Sequence, residues 1–125
     1  MASIAQIYSI LAPAQAAPGD TVQFSITLKN ISSSTHILGA TMNIDYSGHH
    51  EEMDLGWNAV PAGWYQSFDG SFVMPSEGVQ LIGWSRWYDE FAERWVFEDY
   101  LSKNIALTEL ETVFSVLKVT SYGRR

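Results

Sequence analysis

The sequence contains no cysteine. That excludes disulfides, zinc–thiolate sites and a cysteine nucleophile, and it leaves the redox compartment unread. Positive charge is scarce: 7 lysines and arginines stand against 14 aspartates and glutamates among 125 residues, for a net charge of −7. Such a balance opposes nonspecific attraction to nucleic acid or anionic lipid. The cations (Lys29, Arg86, Arg94, Lys103, Lys118, Arg124 and Arg125) are scattered rather than clustered. Neither nucleic acid nor membrane is therefore an expected partner. Long apolar runs are missing as well; none reaches the roughly 18 residues that span a bilayer. The apolar stretch 4–17 ends in Ala14-Gln15-Ala16-Ala17, a small-residue pattern of the cleavage-site kind. No positive side chain precedes Lys29, however, and Pro13 interrupts the run, so the stretch reads as a strand rather than a secretory signal. There is no internal repeat, no H-E-x-x-H, no Gly-x-Ser-x-Gly elbow and no phosphate-cradling glycine loop.

What is present is a core. The chain is 46% hydrophobic and 17% charged, which suits one globular domain over residues 1–125. Its clearest pattern is period-two alternation. From Thr21 to Lys29, Val22, Phe24, Ile26 and Leu28 alternate with polar residues after a Pro18-Gly19-Asp20 turn. From His36 to Tyr46, Leu38, Ala40, Met42, Ile44 and Tyr46 share one face, while Thr41, Asn43 and Asp45 share a face expected in water. Further strands are expected over Ile4–Leu11, Gln66–Met74, Val79–Ser85 and Thr112–Tyr122, the last as a buried central strand. The segment 84–100 reads two ways. Trp84, Trp87, Tyr88, Phe91, Ala92 and Trp95 fit an amphipathic helix, centred on a short helix near 87–95. The alternative is a hairpin turning over Asp89 to Glu93, favoured by the aromatic content and the all-β surroundings although the turn lacks glycine and proline. The expected fold is all-β, an antiparallel sandwich of about seven strands.

The stretch Ala17-Pro18-Gly19-Asp20-Thr21-Val22-Gln23-Phe24-Ser25-Ile26-Thr27-Leu28-Lys29-Asn30 resembles the opening of immunoglobulin-like modules, notably the cell-adhesion-related domains of bacteria and archaea. Gly70-Ser71-Phe72-Val73-Met74-Pro75, followed by Gly78-Val79-Gln80-Leu81, resembles a later strand of the same modules. The resemblance covers about a third of the chain and concerns strand and turn geometry rather than chemistry. It implies an immunoglobulin-like sandwich and a non-catalytic part of a larger surface structure. A chain that starts with Met1, lacks an evident secretion signal and is one domain long is similar in context to accessory proteins of tailed-phage and related virus particles. That implies manufacture in the host cytoplasm and residence on the virion surface, with protein partners or copies of itself. An extracellular or cell-surface location is the alternative.

Candidate chemistry is thin. His49-His50-Glu51-Glu52-Met53-Asp54 mixes metal-ligand types, but adjacent strand side chains point apart, and after Ser47-Gly48 the cluster reads as a solvated loop. A calcium site from Asp45, Glu51, Glu52 and Asp54 lacks the spacing of a dedicated loop, so no metal or cofactor is expected. Glycosidase chemistry needs two carboxylates at fixed separation across a cleft. The acids here fall in runs, Asp89-Glu90 and Glu98-Asp99, expected to keep edges and loops soluble, and no enzyme activity is expected.

The anomaly is the aromatic load. Trp57, Trp64, Trp84, Trp87 and Trp95 all lie mid-chain, joined by Tyr65, Tyr88 and Tyr100. Trp84 and Trp95 read as core or loop staples. Trp57 and Trp64 flank Gly56, Pro61 and Gly63 and read as loop residues; with Tyr65 and Trp87 they form the candidate exposed contact surface. Such a surface serves either a protein interface, where tryptophan, tyrosine and arginine supply most binding energy, or a carbohydrate platform on which indoles stack against sugar rings. The first makes the chain a structural protein of a larger assembly, most plausibly a capsid decoration or tail accessory component; the second makes it a carbohydrate-binding module.

Overall fold

Alternating apolar residues dominate the layout, because a strand with one dry face must lay it against another. In the computed structural model, which describes residues 2–108, eight strands do this: β1 (Ala5–Leu11), β2 (Gln15–Ala16), β3 (Thr21–Asn30), β4 (His36–Tyr46), β5 (His49–Val60), β6 (Tyr65–Val73), β7 (Val79–Asp89) and β8 (Arg94–Leu107). They form two sheets, β1-β3-β6 and β2-β8-β7-β4-β5. All pairs are antiparallel except the short β2–β8 pair. The two sheets lie face to face as a β-sandwich. The N-terminal stretch contributes to both sheets. β1 ends before Pro13, which has no N–H to give a ladder, and the chain then crosses to pair with the end of β8.

Between the sheets lie Val22, Phe24, Ile26 and Leu28 of β3, Leu38, Ala40, Met42 and Ile44 of β4, and Leu81 and Ile105 of β7 and β8, all buried. Residues 21–30 and 36–46 thus form the strands their alternation predicts. The strand expected at 112–122 lies outside the described residues.

The hairpin, not the helix near 87–95, is what forms. Its turn works without glycine or proline because Asp89 replaces them. The Asp89 carboxylate accepts hydrogen bonds from the backbone N–H groups of Phe91 (3.0 Å) and Ala92 (3.2 Å), and Glu93 takes the left-handed conformation at φ 55°. The helical spacing of the aromatics arises because both faces of the hairpin carry them. A second correction concerns 49–54, which is not a loop but the start of β5, paired to β4 from His49 to Tyr46 onward.

Asn30, the residue that closes β3, is fully buried and fully used. Its side-chain N–H₂ donates to the carbonyls of Ser34 (2.9 Å) and Val60 (2.8 Å), while its Oδ1 accepts from the Ser32 backbone N–H (2.9 Å) and hydroxyl (2.7 Å). One amide thereby joins the β3–β4 turn to the end of β5. Replacing it leaves buried groups without partners, so Asn30→Ala should cost about 2–3 kcal/mol in urea denaturation; a cost below about 0.5 kcal/mol would show that the amide network contributes nothing.

Candidate functional site

The outer face of the five-stranded sheet is built by register. Trp57 sits opposite Gly39, Gly39 opposite Arg86 and Arg86 opposite Phe97. One step toward the hairpin, Tyr88 pairs with Trp95; one step away, Trp84 lies between Thr41 and Tyr100. Side chains at these positions point to one side. Two aromatic groups result. Trp84 packs against Tyr100 (centroids 5.1 Å) and edge-on to Phe97 (6.3 Å), a flat patch in which Phe97 is 52% and Tyr100 64% exposed. Tyr88 meets Trp95 edge-on at 5.4 Å, and with Ile37 and Trp57 these rings line an open cleft of about 310 Å³.

Arg86 lies beneath the rings, only 8% exposed although its strand position faces outward. Its guanidinium stacks 4.4 Å from the centre of the Trp95 ring and donates from Nη2 to Asp54 Oδ1 at 2.8 Å. It can lie flat because its neighbour is Gly39: a Cβ there would stand 2.7 Å from Arg86 Nε and 2.9 Å from the Gly56 carbonyl. On the far side a bulge sets two residues, Leu55 and Gly56, against Ala40. Gly56 adopts φ 96°, and its N–H donates to the same Asp54 oxygen at 2.8 Å. Arg86 Nε has no hydrogen-bond partner among the described residues, which leaves the Trp95 ring and Asp54 as its compensation.

A second bulge, at Ser85/Arg86, places Glu98 as the extra residue of β8 between Phe97 and Asp99. Phe97 thereby faces out, while Glu98 and Asp99 turn toward the three-stranded sheet. Glu98 Oε1 accepts from the backbone N–H groups of Ile4 (2.9 Å) and Ala5 (2.8 Å), and Oε2 from the Ser3 hydroxyl (2.7 Å) and Trp87 Nε1 (3.1 Å). Asp99 accepts from the Ile7 N–H (3.1 Å), and the Ser85 hydroxyl donates to the Ala5 carbonyl (2.6 Å). Burial pushes the Glu98 carboxyl up, but the hydrogen bonds from Ala5, Ser3 and Ile4 outweigh it and hold the group below its ordinary value of 4.5. The Glu98-Asp99 run is therefore a seam between sheets, not a solubilising edge.

The four residues expected on one contact surface are not together. Trp57 is exposed at 61% and lies on the cleft, but on strand β5 rather than a loop. Trp64 is exposed in the β5–β6 turn. Tyr65 is exposed on the outer face of the other sheet, edge-on to Tyr8 (4.8 Å) and under the Lys29 ammonium (5.3 Å). Trp87 pairs with Leu38, points inward, packs against the core and donates to Glu98, so it is not an exposed anchor. Trp84 and Trp95, expected as core, belong instead to the outer face. Thr41, expected in water, is buried beside Trp84. Tyr88, Trp95, Phe97 and Tyr100 are the outer-face aromatics that sequence reasoning left out of the candidate surface; the alternation Trp84, Arg86, Tyr88 was the available signal. The acids nominated for calcium part company, Asp45 to His50 Nδ1 (2.6 Å) and Asp54 to Arg86. Among the described residues no three His, Asp or Glu side chains converge on a metal position.

No protein-family model matches the chain, and a search of curated protein sequences gives no match. Solved structures do match in fold. Similar ones include the protein assigned as ApaA from Bordetella pertussis (TM-score 0.61, 10% identity, 85% of this chain and 97% of that one). Another is the alkylpurine DNA glycosylase AlkC of Pseudomonas fluorescens, bound to DNA with an abasic-site analogue (TM-score 0.58, 14% identity, 83% of this chain). A third is the complex of zinc 2-glycoprotein with prolactin-inducible protein from human seminal plasma (TM-score 0.56, 9% identity, 82% and 97%). The chain spans 31% of the length of the glycosylase. At these identities the likeness is one of sandwich architecture.

Two measurements test the site. Because the Glu98 carboxyl is depressed in the folded chain, its contribution is complete above about pH 4.5 and is lost as pH falls through the folded value. Thermal stability of Glu98→Gln should thus fall less between about pH 4.5 and pH 3 than that of the parent; identical slopes would remove Glu98 from the seam. Gly39→Ala should destabilise by about 1–3 kcal/mol and red-shift tryptophan emission as the guanidinium is forced off Trp95; an unchanged spectrum would show that the stack is dispensable.

Proposed function

We propose that the chain is a non-catalytic, immunoglobulin-like docking module of a larger assembly, a virion decoration or tail accessory component made in the host cytoplasm. The observation that carries this reading is the flat aromatic patch of Trp84, Phe97 and Tyr100 on the outer face of a sheet. Large aromatics left exposed on a rigid strand face offer binding area at little entropic cost, and such residues dominate the energetics of protein interfaces. The non-catalytic part of the proposal is supported by the use of the acids: Glu98, Asp99, Asp54 and Asp89 are each engaged by backbone N–H groups or Arg86. The Pro18-Gly19-Asp20 turn and the strand order are in keeping with the cell-adhesion-related modules that the sequence resembles.

Mass spectrometry of purified virus particles from the same source should find the chain among the structural proteins. The double variant Phe97→Ser, Tyr100→Ser should keep its circular dichroism spectrum and drop out of the particle, with a loss of affinity of roughly thirtyfold or more, as expected for interface anchors worth ~2 kcal/mol. Particles that lack the parent chain, or that retain the double variant in full, would overturn the reading.

A further inference from the structure

The cleft at the hairpin end of the same face is distinct from the flat patch. Its walls are Trp57, Tyr88, Trp95 and Ile37. It shares Ile37 and Tyr88 with a second, neighbouring hollow of about 410 Å³, whose lining includes Thr35, His36, Asp89 and Glu90. One half is therefore almost wholly aromatic, and the other adds hydroxyl, imidazole and carboxylate groups. Both volumes fall in the range of small-ligand sites.

Charge selects among ligands. The carboxylates of Asp89 and Glu90 in the second hollow, on a chain of net charge −7, disfavour an anion. A cation is disfavoured for a different reason. The Arg86 guanidinium, charge-balanced by Asp54, already stacks on Trp95 and takes up the attraction that this ring would otherwise offer a cationic ligand. What fits is a neutral molecule with flat apolar faces and hydroxyls at its edge. Indole and phenol rings would cover the C–H faces, and the carboxylates and His36 would take the hydroxyl protons as hydrogen bonds. A hexopyranose unit of a neutral polysaccharide has this character.

We infer that the Trp57–Tyr88–Trp95 cleft binds a neutral pyranose unit of a glycan chain. This goes beyond the docking role and stands or falls separately from it, since the flat patch is not part of the cleft.

The test is fluorescence titration and calorimetry with neutral hexasaccharides of glucose, xylose, mannose and N-acetylglucosamine. Alongside them run a sulfated hexasaccharide and a lysine-rich peptide. At least one neutral sugar should give saturable quenching with a Kd of about 1 mM or tighter. Trp57→Ala should weaken it by tenfold or more with an unchanged melting temperature, because Trp57 is exposed. Trp64→Ala, an indole outside the cleft lining, should leave the affinity unaltered. No response to any neutral sugar, a response equal in Trp57→Ala, or binding confined to the sulfated sugar or the basic peptide would each overturn the inference. Particle incorporation of Trp57→Ala should match the parent, which keeps a failure here separate from a failure of the docking role.

Discussion

The extra residue in β8 at Glu98 is the constraint on which both faces of the molecule depend. Without it, strict alternation would put Phe97 and Asp99 on one side. With it, Phe97 joins the aromatics outside, while two consecutive carboxylates turn inward to the backbone N–H groups of β1. Those N–H groups lie on the edge of the three-stranded sheet, where ladder partners end. An edge with free donors invites pairing with another chain; here side-chain oxygens occupy the donors of Ile4, Ala5 and Ile7. One irregularity closes the sandwich along β1 and sets the phase of the aromatic face.

Arg86 is the complementary constraint on that face. A guanidinium buried outside the core needs a counter-charge and a polarisable neighbour, because desolvation of an unpaired ion costs several kcal/mol. Asp54 supplies the first and Trp95 the second. Gly39 and Gly56 are the backbone conditions for this arrangement, one by lacking a Cβ and one by its positive φ. Trp95 and Asp54 are thereby held in fixed relation by a residue that itself scarcely meets solvent.

The legible parts of the sequence were those with unbroken alternation. Residues 21–30 alternate cleanly because one face lies on the core, and 36–46 alternate in sequence although the outer aromatics bury the second face of β4 at Thr41 as well. β5 was not legible. It is an edge strand with little core contact, and its opening residues, His49 to Glu52, carry no apolar signal. The hairpin was legible from its aromatic content and all-β surroundings, with its turn at Asp89 to Glu93, but the helical spacing kept a rival open because an aspartate side chain and a left-handed Glu93 do glycine's work. Trp87 was misplaced because β7 bears large aromatics on both faces, and nothing in the local pattern says which is inner. The assembly of Trp57 with Tyr88 and Trp95 depends on pairing across four strands, two of whose ladders carry bulges. Pairwise register of that kind is a tertiary property, and single-strand periodicity does not encode it.

The sheltered position of the guanidinium has a consequence for kinetics. The guanidinium lies under the Trp95 indole while its partner Asp54 is largely exposed, and the charge-balanced pair projects little net field beyond the surface. Encounters at this face would then rely on diffusion and orientation rather than long-range attraction, with on-rates of about 10⁵–10⁶ M⁻¹s⁻¹. For the proposed docking role, selectivity would then come from how long a correctly seated partner stays, so discrimination would reside in the rate of departure and persist at high ionic strength.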